Sequence, residues 1–62
     1  MTKYQLAKQV DPRVWAVFES KIAGLEQEKL DKVLAKVDTL HSEGKSLQRA
    51  MADALYEYKL AG

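Results

Sequence analysis

The chain has 62 residues, no cysteine, and ten Lys and Arg against nine Asp and Glu, for a net charge of +1. That length allows one domain, residues 1–62, near the lower limit of independent folding, and the missing cysteine removes disulfides and thiolate zinc sites as staples. The near-neutral balance lacks the one-sided positive charge of a typical DNA-binding domain, and with 47% hydrophobic residues the chain is too apolar to be disordered.

Four helices are expected in chain order. The first spans roughly Lys3 to Gln9: Thr2 and Gln5 form a capping-box pattern, in which each side chain satisfies a backbone N–H left free at a helix start. Its buried side is Leu6, Val10 and Ala7, too little to hold a helix alone. Asp11-Pro12 ends it, because proline disfavours helical geometry in the residue before it. The same pair opens the second helix, with Asp11 as N-cap and Pro12 at the first helical position.

The second helix, about Pro12 to Ala23, carries Val14, Trp15, Val17, Phe18 and Ile22. Gly24 offers a stop. Continuing the helix would cost only about 1 kcal/mol at the glycine, but the stripe of Phe18, Ile22 and Leu25 would then run onto Lys29 and Lys32. A break near residues 24–26 restores the apolar phase, since the next stripe begins at Leu30.

The third and fourth helices, about 26–43 and 46–60, give the clearest pattern. Leu30, Val33, Leu34, Val37, Leu40 and His41 recur at helical spacing, as do Leu47, Ala50, Met51, Ala54, Leu55 and Tyr58. Gly44 closes one helix and Ser46 caps the next, so the two stripes fold onto each other as an antiparallel hairpin. Glu28 and Lys32 are placed for an ion pair one turn apart. Folding symmetrically about Gly44 sets Lys36 level with Asp53 and Lys32 level with Glu57, which suggests charge pairs that fix the hairpin register. The fold class is therefore all-α, a small bundle of three to four helices built on this hairpin.

Few residues suggest chemistry. His41 is the only histidine, and with no cysteine or second histidine to complete a ligand set it reads as a boundary residue rather than an acid, base or metal ligand. No catalytic, metal-binding or cofactor-binding signature is present, and a non-enzyme is expected.

Side chains outside the stripes point to contacts instead. Trp15 and Val17 fall on opposite edges of the second helix, and Trp15 either closes the core or anchors an interface. Lys21 sits inside the apolar arc, where its stem can lie along the core with the ammonium in water or against a partner's acid. Tyr56 lies opposite the stripe of its own helix, either exposed or in contact with another molecule. These residues, Trp15, Val17, Lys21 and Tyr56, are the expected partner-binding set.

The segment Gln5-Leu6-Ala7-Lys8-Gln9-Val10, followed by a helix with Arg13 and Lys21, resembles the opening of a helix-turn-helix over about twenty residues. That resemblance implies a small DNA-binding regulator contacting DNA through Lys3, Lys8 and Arg13. Asp11-Pro12 replaces the turn such motifs carry, and the second helix offers Val, Trp and Phe where base edges need polar groups.

The favoured function is a non-enzymatic protein-binding module, a small inhibitor, adaptor or accessory subunit that presents a helical surface to a protein partner. Homodimer formation is a second way to bury apolar surface in so small a chain. No apolar run approaches the roughly 20 residues of a membrane span, so no membrane role and a cytoplasmic location are expected.

Overall fold

The computed structural model describes residues 1–60. Its four helices are α1 (Lys3–Gln9), α2 (Pro12–Ile22), α3 (Gln27–Ser42) and α4 (Leu47–Glu57), and the described residues contain no strand.

The starts follow from local chemistry. Thr2 accepts a hydrogen bond from the Gln5 amide at 3.2 Å while the Thr2 amide donates to Gln5 Oε1 at 2.9 Å, a closed capping box. Asp11 accepts from the Arg13 amide at 2.8 Å ahead of Pro12, and Ser46 accepts from the Arg49 amide at 3.1 Å. Only α3 lacks a side-chain cap; Glu26 occupies that position with no such bond. Glu28 in its first turn suits the positive end of the helix dipole and pairs with Lys32 at 3.7 Å.

The helix ends use three turns. After α2, the Leu25 amide donates to the Ile22 carbonyl at 3.2 Å, with Ala23 extended and Gly24 at φ +85°. This is a type II turn, which needs positive φ at its third residue. Helices α2 and α3 are therefore discontinuous, as the apolar phase requires. After α3, the Gly44 amide donates to the His41 carbonyl at 3.0 Å and the Lys45 amide to the Leu40 carbonyl at 3.3 Å, a Schellman closure with Gly44 at φ +102°.

The fourth helix ends at Glu57, three residues before the expected limit. A second Schellman closure forms there, from the Lys59 amide to the Tyr56 carbonyl at 3.1 Å and from the Leu60 amide to the Leu55 carbonyl at 2.8 Å. At roughly 100° per residue a continuing helix would carry Leu60 to the solvent side; the turn returns it to the core. The left-handed position is taken by Lys59 at φ +59°, not by glycine.

The core is wholly apolar. Leu6 from α1, Phe18 and Ile22 from α2, Val33, Leu34, Val37 and Leu40 from α3, and Ala50, Met51, Ala54 and Leu55 from α4 are buried, with no polar side chain among them. The strongest packing joins α3 to α4, followed by α2 to α4. Both hairpin stripes enter this core except His41, which is exposed. Its Nδ1 lies 3.0 Å from the Lys45 carbonyl, so it donates to a carbonyl at the hinge and lies outside the core.

The surface charges pair differently from the symmetric expectation. Lys36 meets Glu57 at 4.0 Å, and Asp53 is held by Lys45 at 2.9 Å and Arg49 at 3.3 Å. The cause is the lean of helical side chains toward their own N-termini. In an antiparallel pair both leans add, so facing charges meet about one turn away from the level of their Cα atoms. The register pair of Lys36 with Asp53 is therefore absent, and Lys32 turns to Glu28 instead of Glu57.

The two Schellman closures predict opposite responses to substitution. Gly44→Ala places a Cβ in a left-handed position with open space around it, and should lower stability by about 1–2 kcal/mol. Lys59→Gly relieves the same strain and should raise stability by about 1 kcal/mol. Urea denaturation followed by circular dichroism reads both; equal signs would contradict the assignment of the two turns.

Candidate functional site

Two of the surface recesses among the described residues stand out. The larger, of about 550 Å³, lies between the start of α1 and α3; Lys3, Tyr4, Gln27, Leu30, Asp31, Leu34 and Asp38 are among its walls. Its lining mixes both charges, and the Met1 α-amino group pairs with Asp38 across it. Tyr4 is 73% exposed on its edge, with Lys3 Nζ 5.7 Å from the ring centroid.

The second recess, a groove of about 330 Å³, lies between α2 and α4. Val14, Val17 and Phe18 form one wall and Met51, Ala52 and Leu55 the other, with Arg13 and Gln48 as the only polar lining residues. Phe18 and Met51 are core residues whose edges reach the floor. Val17, next to Phe18 in sequence but turned outward by 100°, is 60% exposed on the rim. With an apolar floor beside an exposed valine, this groove is the more apolar of the two recesses.

The expected partner-binding residues divide around this groove. Val17 lines it. Lys21 follows one turn later on the same flank of α2 and is half-buried. Tyr56 follows Ala52 by one turn on α4 and is 79% exposed. Trp15 lies on the other side of α2, half-buried against the core, its ring centroid 5.6 Å from that of Phe18 at a 34° tilt. That offset contact adds to core packing and holds the orientation of Phe18.

The residues named for DNA contact do not converge on one helix face. Lys3 sits at the start of α1 beside Tyr4, Lys8 is exposed in its last turn, and Arg13 Nε lies 3.7 Å from Asp11. Val14, Phe18, Met51 and Leu55 belong to the groove although their spacing marks them as core. Helical periodicity gives the direction of a side chain on its own helix and not the gap between two helices, so nothing in the sequence separates a core residue from a groove floor.

No family model, curated protein or solved structure matches the chain. Among the described residues no group of His, Cys, Asp and Glu is placed to hold a metal ion, and no helix is long and apolar enough to cross a membrane.

One charged cluster has a perturbed titration. A hydrogen bond from the Lys45 ammonium holds the Asp53 carboxyl below its ordinary value, outweighing partial desolvation, with the charges of Lys45 and Arg49 acting in the same direction. A carboxyl with a lowered folded-state value stabilises the fold above the unfolded value, and this contribution is lost as pH falls through the folded one. Asp53→Asn should therefore be less stable than the wild type at pH 6, and the gap should close as pH drops below about 4. Denaturation at pH 6 and pH 3 measures it; a gap of the same size at both would contradict the ionic role.

Proposed function

We propose that this chain is a non-enzymatic protein-binding module, a small inhibitor, adaptor or accessory subunit that receives its partner in the α2–α4 groove. The observation that carries this is the juxtaposition of Val17, exposed on the rim, with an apolar floor of Phe18, Met51 and Leu55. Burying the exposed Val17 is favourable in proportion to the apolar area removed from water, while Phe18, Met51 and Leu55, already buried, give the groove its apolar floor. Interface cores are depleted of charge and enriched in methionine and aromatic groups, and the groove has that composition. Met51 is unbranched and adapts its shape to an incoming side chain. The volume is small for a ligand pocket, near the bottom of the roughly 300–1,000 Å³ range, and suits two or three anchoring side chains.

Less supports the DNA-binding alternative. The outward side of α2 offers Val17 where a reading helix would place donors, and Arg13 shares its charge with Asp11.

The test separates adjacent residues. Val17→Asp should leave stability within about 0.5 kcal/mol of the wild type, whereas Phe18→Ala should remove about 3–5 kcal/mol, most of what so small a core supplies. In cells, a photo-crosslinking benzoylphenylalanine in place of Val17 should yield a discrete adduct with another protein. The same group at Thr39, on α3 outside the groove, should not. Unfolding of Val17→Asp, or equal adducts from both positions, would contradict the proposal.

A further inference from the structure

The charges around the groove indicate what kind of segment it receives. On α2, Arg13 and Lys21 stand one turn before and one turn after Val17, so the apolar rim is bracketed by two cations. None of the lining residues is a carboxylate. The two carboxylates of α4 are engaged elsewhere, Asp53 with Lys45 and Arg49 and Glu57 with Lys36 on α3. Glu19, the carboxylate within α2, lies on the side of Trp15, away from the groove by its helical phase. Arg13 has a neighbour in Asp11 at 3.7 Å, but with Arg13 almost fully exposed that pair is weak and open to exchange. Lys21 has no carboxylate within ion-pair distance among the described residues.

A second copy of the chain paired groove to groove does not complement this edge. Pairing groove to groove would bring two cationic rims together, and the carboxylates of Glu28 and Asp31 on α3 are already engaged, by Lys32 at 3.7 Å and by the Gln27 side-chain amide at 2.8 Å. From Arg13 to Lys21 the wall runs about 12 Å at 1.5 Å per residue, two turns of helix. That length matches anchors at i, i+3 or i+4, and i+7 of a docked helix.

We infer that the groove binds an amphipathic helix of a different protein, whose apolar stripe is flanked by Asp or Glu set to meet Arg13 and Lys21. This rests on the protein-binding function proposed above and adds the chemistry of the partner.

The experiment is a selection from a displayed library of helical peptides, with Leu, Ile, Phe or Met at the stripe and Glu, Lys, Gln or Ser free at the flanks. The intact chain is the target, and Val17→Asp serves for counter-selection. Enriched peptides should carry acidic flanks and bind about fivefold more tightly than their flank-Lys counterparts, as expected from two exposed charge pairs. Arg13→Glu/Lys21→Glu should abolish that preference while the peptides still bind. Enrichment of neutral or basic flanks would overturn the acidic assignment and leave the groove in place. Failure to enrich any peptide that distinguishes Val17→Asp from the wild type would overturn both. Loss of peptide binding as the free chain is concentrated, with sedimentation as a dimer, would make a second copy the occupant and overturn the inference.

Discussion

The seating of Phe18 on the α3–α4 hairpin is the contact on which the rest of the molecule depends. Of the eleven buried hydrophobic residues among those described, α3 and α4 supply four each, α2 two and α1 one. The hairpin therefore brings most of the core but leaves its stripes open on one side. Helix α2 closes that side through Phe18 and Ile22, and Trp15 packs tilted against the Phe18 ring. The chain has no cysteine for a disulfide, and no buried polar side chain is found among the described residues. In a core of this size, which rarely supplies more than about 3–5 kcal/mol, one fully buried aromatic is a large share of the total. Because Phe18 is fixed, the residue before it is forced outward, so the same contact that completes the core also exposes Val17.

Hydrogen bonding at the helix ends makes this arrangement possible in so few residues. Side-chain caps satisfy free amides at three helix starts, and Schellman closures satisfy free carbonyls after α3 and α4. Connections of four residues or fewer then suffice between helices. The α3–α4 hinge also places Lys45 where it can clasp Asp53 with Arg49. Two cations at the positive end of a helix dipole are unfavourable by themselves; the shared carboxylate offsets them. The cluster ties the hinge to α4 and leaves Lys36 and Glu57 to span the hairpin flank.

Wherever one residue type has one structural use, the sequence was legible. Thr2 with Gln5, Asp11 with Pro12, and Gly44 with Ser46 announce helix boundaries because few other arrangements use those residues at those spacings. The paired stripes of α3 and α4 identify the core for the same reason, with His41 as the one position that the stripe includes and the core does not. Legibility stops where geometry between helices decides. Lys59 gives no glycine-like sign of its left-handed conformation; the pull of Leu60 toward the core sets it. The partners of Lys36 and Asp53 depend on the lean of side chains across a packed pair, which residue numbering ignores. The groove depends on the gap between α2 and α4, which no single-helix pattern contains. Val17 and Tyr56 are legible as residues that their own stripes leave out, and Trp15 is resolved only by its contact with Phe18.

The functional account requires a groove that exists before the partner arrives. A preformed site avoids the ordering entropy that a disordered segment would lose on binding. It exists only if α2 is part of the same cooperative unit as the hairpin and does not detach by local opening. Native-state amide hydrogen exchange of the free chain tests this most directly. The amides of Phe18 through Ile22 should exchange with the same free energy of opening as those of Val33–Leu40 and Ala50–Leu55. Exchange from α2 through an opening well below the global unfolding free energy would show that the hairpin stands without it, and that the groove is not part of the cooperative fold.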